Sequence, residues 1–292
     1  MSRSVAKLLH GVIGALTAPQ SPGRRAMTLS RLVERLDAAQ AHTIQTRHGP
    51  IRTLTLRGPH LAAAAVGFDD EEPELLAWID GFSPGQTLWD IGAATGLFAI
   101  YAARRGIRVM AFEPKATSFG VLVEHLALNG VGDQVFPACV AFSDATGTTH
   151  LQLHQMAAGS GGNSIQGQPN QFGDHDFMFK QGALAYRIDD FIKAFGLSAP
   201  DHIKIDVDGV EGLILRGAAR TLNSVRSVLV EVEGDNAARA AERIEPPLTG
   251  AGLVEDLSVR EQGSGRNRLY VRLTLEVQER NRTAIRLQQP QG

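Results

Sequence analysis

The chain holds one cysteine, Cys139, among its 292 residues. An intrachain disulfide and a cysteine-built zinc centre are therefore excluded, and a reducing compartment, the cytoplasm, is the expected setting. Long apolar runs are missing too: none approaches the ~20 residues that span a bilayer, so no transmembrane segment is expected. There is no basic surplus either. Twenty-nine Lys and Arg stand against 31 Asp and Glu, a formal charge of −2, and the cations are scattered, so nucleic acid is not an expected partner. No fixed-period repeat occurs. What is there, 43% hydrophobic and 21% charged residues, suits a globular protein with one sizeable core.

The opening MSRSVAKLLHGVIGALTAP places Arg3 and Lys7 ahead of an apolar patch. Val5, Leu8, Leu9, Val12, Ile13 and Leu16 recur at helical spacing, which reads as an amphipathic helix rather than a signal core. Packing on its own domain or on a second subunit, as a homodimer, is the expectation; few cations on its polar face argue against a membrane surface. APQSPGRR (18–25) separates a second helix carrying Leu29, Leu32, Val33 and Leu36. TIQTRHGPIRTLTLR (43–57) alternates around Gly-Pro and suggests a hairpin, and EEPELLAWIDGF (71–82) a short helix with Pro73 in its first turn.

From residue 86 the pattern is strand then helix, repeatedly: QTLWDIG, LFAIYAARRG, RVMAFEP, SFGVLVEHLALNG, DQVFPACVAF, and later YRIDDFIKAFG, HIKIDVDG, VEGLILRGAARTL and SVLVEVE. Such alternation predicts an α/β fold, a doubly wound, mostly parallel sheet covered on both faces. Residues 1–68 read as a helical and hairpin extension, 69–277 as the main domain ending in an antiparallel edge strand, LYVRLTLEV (269–277), and 278–292 as a flexible tail. The polar, glycine-rich stretch 154–177 reads as a long functional loop.

The ligand of such a sheet lies beyond the carboxyl ends of its strands. LWDIGAATG places Asp90, Gly92, Ala93 and Gly96 at the first strand-to-helix turn, and Glu113 ends the next strand, where a carboxylate can accept ribose hydroxyls. A dinucleotide site wants G-x-G-x-x-G and a P-loop wants G-K-[ST]; neither is here, which disfavours an NAD-type oxidoreductase. An acid at Asp90 would repel pyrophosphate but suits a cofactor bearing an ammonium and a sulfonium, S-adenosylmethionine. Cys139 and Val140 follow the third strand, near where an adenine would stack, and Asp144 fits a turn close by.

Together with DIGAATGLFAIYAA, AFEP, RIDDF and SVLVEVE, the run IKIDVDGVEGLILRGA (203–218) resembles the FkbM-type family of class I S-adenosylmethionine-dependent methyltransferases across residues 69–235. Ala94 stands where that family usually carries Asn. The resemblance implies a Rossmann-like fold and methyl transfer to a hydroxyl on a sugar, glycolipid or secondary metabolite. Asp206, ending its strand, is the expected catalytic or acceptor-positioning acid, with Asp208 beside it; Glu211 reads as a helix-start acid.

Asp206 and Asp208 suit Mg²⁺ in kind, but without a third placed ligand no metal is assigned. Glu231 and Glu233 share a strand face, and one of them can border the pocket. Asn163 and Ser164 are candidates to close over it. His154, His175 and His202 are bases by chemistry alone, with no spacing that singles one out. The competing reading is a non-catalytic assembly module that keeps the fold.

Overall fold

The computed structural model describes residues 2–39, 41–165, 167, 176–232 and 240–288. Its centre is a seven-stranded sheet in the order β12-β13-β11-β10-β3-β4-β5. The strands β3 (Thr87–Ile91), β4 (Arg108–Phe112), β5 (Val135–Ala138), β10 (His202–Ile205) and β11 (Ser227–Glu231) run parallel. β10 and β11 are buried along their whole length, which is why HIKI and SVLVE show no clean polar alternation.

Period-two alternation divides the core between the two faces of the sheet. Leu88, Val109 and Leu229 pack with Leu75, Ile79, Ile100 and Leu122. Trp89, Ile91, Phe112, Ile203, Ile205 and Val228 pack with Ile188, Phe191, Ile214 and Leu215. The first face is covered by α4 (Pro73–Asp80), α5 (Leu97–Arg104) and α6 (Ala116–Asn129), the second by α7 (Ile188–Phe195) and α8 (Glu211–Gly217).

Several expectations change. The segment 269–277 is not one edge strand: β13 (Asn267–Arg272) lies between β11 and the true edge, β12 (Leu253–Glu255), antiparallel to both. Beyond it the chain turns helical again over Leu275–Gln288, so residues 278–288 are no loose tail. Arg280 holds Asp256 through two nitrogens at 2.9 and 2.7 Å, and Asn281 bridges Leu257 N–H and Glu255 C=O, which docks the helix. A second sheet stands over the domain, built of β6 (Ala141–Phe142), β7 (Gly147–Leu153), β8 (Ser164–Ile165) and β9 (Phe179–Tyr186) in the order β6-β9-β7-β8, with β7 and β9 flanking the glycine-rich stretch.

At the N-terminal side, α1 (Ser2–Thr17) and α2 (Pro22–Ala39) form as expected, with Pro22 inside the breaker stretch opening the second helix. The hairpin of β1 (His42–Thr46) and β2 (Gly49–Thr53) follows, and α3 (Pro59–Gly67), which the sequence pattern did not reveal, comes next. Ile44 and Ile51 enter the main core, and Asn129 exchanges two hydrogen bonds with the backbone of Arg52. The hairpin is thus fastened to the main domain, while α1 leaves Val5, Leu8, Leu9, Val12 and Leu16 exposed.

Candidate active site

The carboxyl ends of β3, β4 and β10 open into one cleft of about 980 Å³, counted with the open solvent at its mouth. Gly92, Ala94, Glu113, Val140, Asp206 and Asp208 line it. Strand ends that the sequence pattern singled out, spread over more than a hundred residues of chain, thus meet in the crevice where open α/β sheets bind ligands.

Glu113 is buried and faces the first turn. Its Oε2 accepts the Ala94 N–H at 2.9 Å and its Oε1 the Lys115 N–H at 2.8 Å. Burial pushes this carboxyl up to about 7, against the pull of those two N–H groups and of the Lys115 ammonium. Each oxygen keeps a second lone-pair direction, so the residue can still accept hydroxyls on the cleft side.

Gly92 and Gly96 do something more specific than the turn pattern suggests. Both adopt left-handed φ, +82° and +83°. A Cβ at Gly92 would lie 1.8 Å from the Asp206 carbonyl oxygen, so this glycine lets two strand ends close on each other. A Cβ at Gly96 would meet Leu122 at 3.1 Å, and the residue opens α5. Ala94 takes φ +48° without being glycine, and here the family's usual Asn would sit more easily.

Asp90 faces away from the cleft. It alternates with Trp89 and Ile91, so the pleat turns its side chain to the α5 face, 1% exposed. There its Oδ1 lies 3.5 Å from Lys204 Nζ, which also donates to Asp206 Oδ2 at 2.9 Å. Phe98 covers the ammonium at 5.9 Å from its ring centroid. Burial works to lower Lys204, but the carboxylates of Asp206, Asp90 and Glu72 outweigh it and hold the group well above its usual range. Burial works to raise Asp206, and the Lys204 charge with a hydrogen bond to Glu231 holds it below the ordinary value, so Asp206 is ionised at neutral pH. Burial instead raises Asp90, helped by Asp206.

Asp206 also belongs to a carboxylate group that reaches behind the cleft. Glu72, Asp206 and Glu231 bring one oxygen each within 4.8 Å of one another, a hard oxygen set of the kind a divalent cation takes. Arg266 lies 3.2 Å from Glu72 and 4.0 Å from Glu231. Burial, then the neighbouring Asp206 charge, lifts Glu72 to about 7. Sequence reasoning missed Glu72. Its only local signal was Pro73 opening α4, which places an acid at the helix N-cap.

Asp208, at φ +63°, accepts the Gly162 N–H at 2.9 Å and the Asn163 N–H at 3.3 Å. Lys115 Nζ donates to the carbonyls of Ala157 at 2.7 Å and Ser160 at 3.2 Å. The segment 157–163 is thereby held over the cleft, and Asn163 and Ser164 line it as expected. Glu211 accepts the Gly209 N–H at 3.1 Å and serves the turn backbone.

The other candidates lie apart. Ala93 and Gly96 are in the turn behind the cleft wall. Cys139 is exposed, its thiol 3.7 Å from the Pro114 carbonyl on the outer side of the strand end. Asp144 pairs with Arg216 at 2.9 Å. His202 opens β10 at the opposite end of the sheet, stacked on Phe82 and bonded to Ser227 and Gln86; burial pushes it down to about 4. His154 packs beside Gly162. His175 and Glu233 lie outside the described residues.

These features are those of a class I methyltransferase fold with a cleft at its first turn. Residues 90–251, more than half of the chain, match the Methyltransferase FkbM domain. The chain belongs to that family. It is 26% identical over 149 residues to the hexuronic acid methyltransferase AglP of Haloferax volcanii, covering 50% of this chain and 55% of that protein. It is 26% identical over 166 residues to the methyltransferase sdnD of Sordaria araneosa, covering 49% and 64%. The alignments thus span little more than half of these relatives. A crystal structure of methyltransferase FkbM from Methylobacillus flagellatus is similar at 17% identity and a TM-score of 0.40, over 65% of this chain and 44% of that one.

Proposed function

We propose that the chain transfers a methyl group from S-adenosylmethionine to a hydroxyl oxygen of a sugar, glycolipid or secondary metabolite. The observation that carries this reading is the position of Asp206, ionised and lining the cleft at the end of β10, with Glu113 and Gly92 on the neighbouring strand ends. The family supports the donor. The name of the Haloferax volcanii relative, a hexuronic acid methyltransferase, supports a sugar acceptor.

The cleft residues fit such a donor. Glu113 offers a buried carboxylate for ribose hydroxyls, and Val140 and Phe142 an apolar wall for a flat base. Asp206 and Asp208, which line the cleft, rather than Asp90, would answer the ammonium and sulfonium charges. When bound, S-adenosylmethionine supplies the electrophilic methyl. Asp206 would orient the acceptor hydroxyl and take its proton as the oxygen–methyl bond forms and the methyl–sulfur bond breaks, with S-adenosylhomocysteine leaving. Glu72 and Glu231, grouped with Asp206, spread the proton over three carboxyl groups.

Calorimetric titration with S-adenosylhomocysteine tests the donor. Binding should weaken roughly tenfold or more in Glu113→Ala, the scale of losing hydrogen bonds to a charged group. Absence of heat in the unaltered chain removes the reading. Transfer of a tritiated methyl group to uronic acid glycosides, against free sugars and lipid-linked sugars, tests the acceptor. Asp206→Asn should lower turnover while affinity for S-adenosylhomocysteine is nearly kept, and the reverse pattern would exchange its role with that of Glu113.

A further inference from the structure

The helices α1 and α2 lie outside the core packing of the domain. On α1, Val5, Leu8, Leu9, Val12 and Leu16 form one stripe at i, i+3, i+4, i+7 and i+11, between 46% and 72% exposed. Lys7 and His10 fall on the opposite side of the helix. On α2, Val33 and Leu36 are likewise exposed along one side, while Arg24, Arg31 and Arg35 recur at seven- and four-residue intervals along the other. Two amphipathic helices in succession with uncovered apolar stripes are uncommon on a monomer's surface.

The charge of this segment differs from the rest of the chain. Residues 2–39 hold six basic and two acidic side chains, leaving 23 basic and 29 acidic of the totals of 29 and 31 for everything that follows. Counted over α1 alone the cations are few; α2 supplies four more. A second copy laying its apolar stripes against these would cover the stripes but leave the cations on the outer sides of both helices unanswered. An anionic bilayer answers both features at once, hydrocarbon for the stripes and headgroups for the cations. Neither helix is long and apolar enough to cross a membrane, which leaves the surface-lying arrangement.

We infer that residues 2–39 seat the protein on the surface of a bilayer containing acidic phospholipid, the apolar stripes of both helices entering the headgroup boundary. This docking is independent of the chemistry assigned to the cleft and stands whether or not S-adenosylmethionine binds. It places the domain beside lipid-borne acceptors.

Flotation of the full chain with vesicles tests it, phosphatidylcholine alone against phosphatidylcholine with one part in four phosphatidylglycerol. The chain should float with the acidic vesicles and far less with the neutral ones. Leu8→Asp with Leu9→Asp should lower the bound fraction on the order of tenfold or more, and Arg24→Gln, Arg31→Gln and Arg35→Gln together should do the same, as should molar salt. Because these side chains are exposed, the thermal midpoint should not move. If the aspartates do unfold α1, the arginine variant and the salt series still read the interaction on a folded chain. Failure to float with either vesicle, or flotation indifferent to both variants and to salt, overturns the proposal. So does a light-scattering mass of two chains that falls to one in the Leu8→Asp, Leu9→Asp variant, which would give the face to a second copy.

Discussion

Lys204 and Asp90 stand opposite each other on adjacent parallel strands, in register, with their charged atoms 3.5 Å apart and both side chains almost wholly buried. Such a pair is held by mutual neutralisation, and removing one member strands the other in a low-dielectric interior. Lys204→Met should therefore cost about 3–5 kcal/mol in urea unfolding. Asp90→Asn in the same chain should return more than 1 kcal/mol of that loss. Additive costs in the double variant would show that the two charges do not depend on each other.

Glu72 gives a pH dependence whose sign can be fixed. Its carboxyl is raised from 4.5 to about 7, by burial and by Asp206 against Lys204 and Arg266, with Glu74 also adding to the rise. The folded state thus binds this proton more tightly than the unfolded chain. The stability it lends is complete below about pH 4.5 and is lost as pH climbs through about 7. Glu72→Gln should be close to neutral at pH 5 and should stabilise the protein at pH 8.5 by about 1–3 kcal/mol relative to the unaltered chain. Urea midpoints at the two pH values check this. A difference that does not change with pH would mean Glu72 is not repelled where it sits.

The two turn glycines should fail differently. Gly92→Ala drives a methyl into the Asp206 carbonyl at 1.8 Å in a left-handed backbone, where neither strand end can yield. Overpacking and backbone strain together suggest a cost of more than ~3 kcal/mol. Gly96→Ala meets the flexible side chain of Leu122 at 3.1 Å and should cost about 1–2 kcal/mol, chiefly from φ. Equal losses in chemical denaturation would contradict the close-approach explanation for Gly92.

Ala94 is the converse case. Its left-handed φ of +48° is a strain that Asn tolerates better, and Asn adds no backbone entropy to the unfolded chain as glycine would. Ala94→Asn should stabilise by about 0.5–1 kcal/mol, a rise of a few degrees in thermal midpoint. A fall would mean that the small side chain is needed for space in the cleft.

The sheet was readable because its strands are bounded by turn residues and its helices by apolar periodicity. Every parallel strand of the seven-stranded sheet sat where the pattern placed it. What escaped has physical causes. The pleat parity that turns Asp90 from the cleft depends on which face the ligand uses, and one strand read alone does not say. Glu72 comes from a helix N-terminus more than a hundred residues before Asp206, joined to it only by tertiary packing. Strands β7 and β9 carry mixed, half-exposed side chains, so alternation was blurred by the polar stretch between them. The C-terminal helix is polar on average and is held by Arg280 and Asn281 beside the buried Val277 and Ala284, so composition made it look like a tail.

Lys115 and Glu113 are separated by a single proline, yet one grips the segment above the cleft and the other the turn below it. Retracting the upper segment therefore means withdrawing a buried ammonium from its carbonyl partners, and that displacement pulls on the peptide whose N–H steadies Glu113. The roof of the cleft and its floor are thus tied to one three-residue anchor, Glu113 to Lys115.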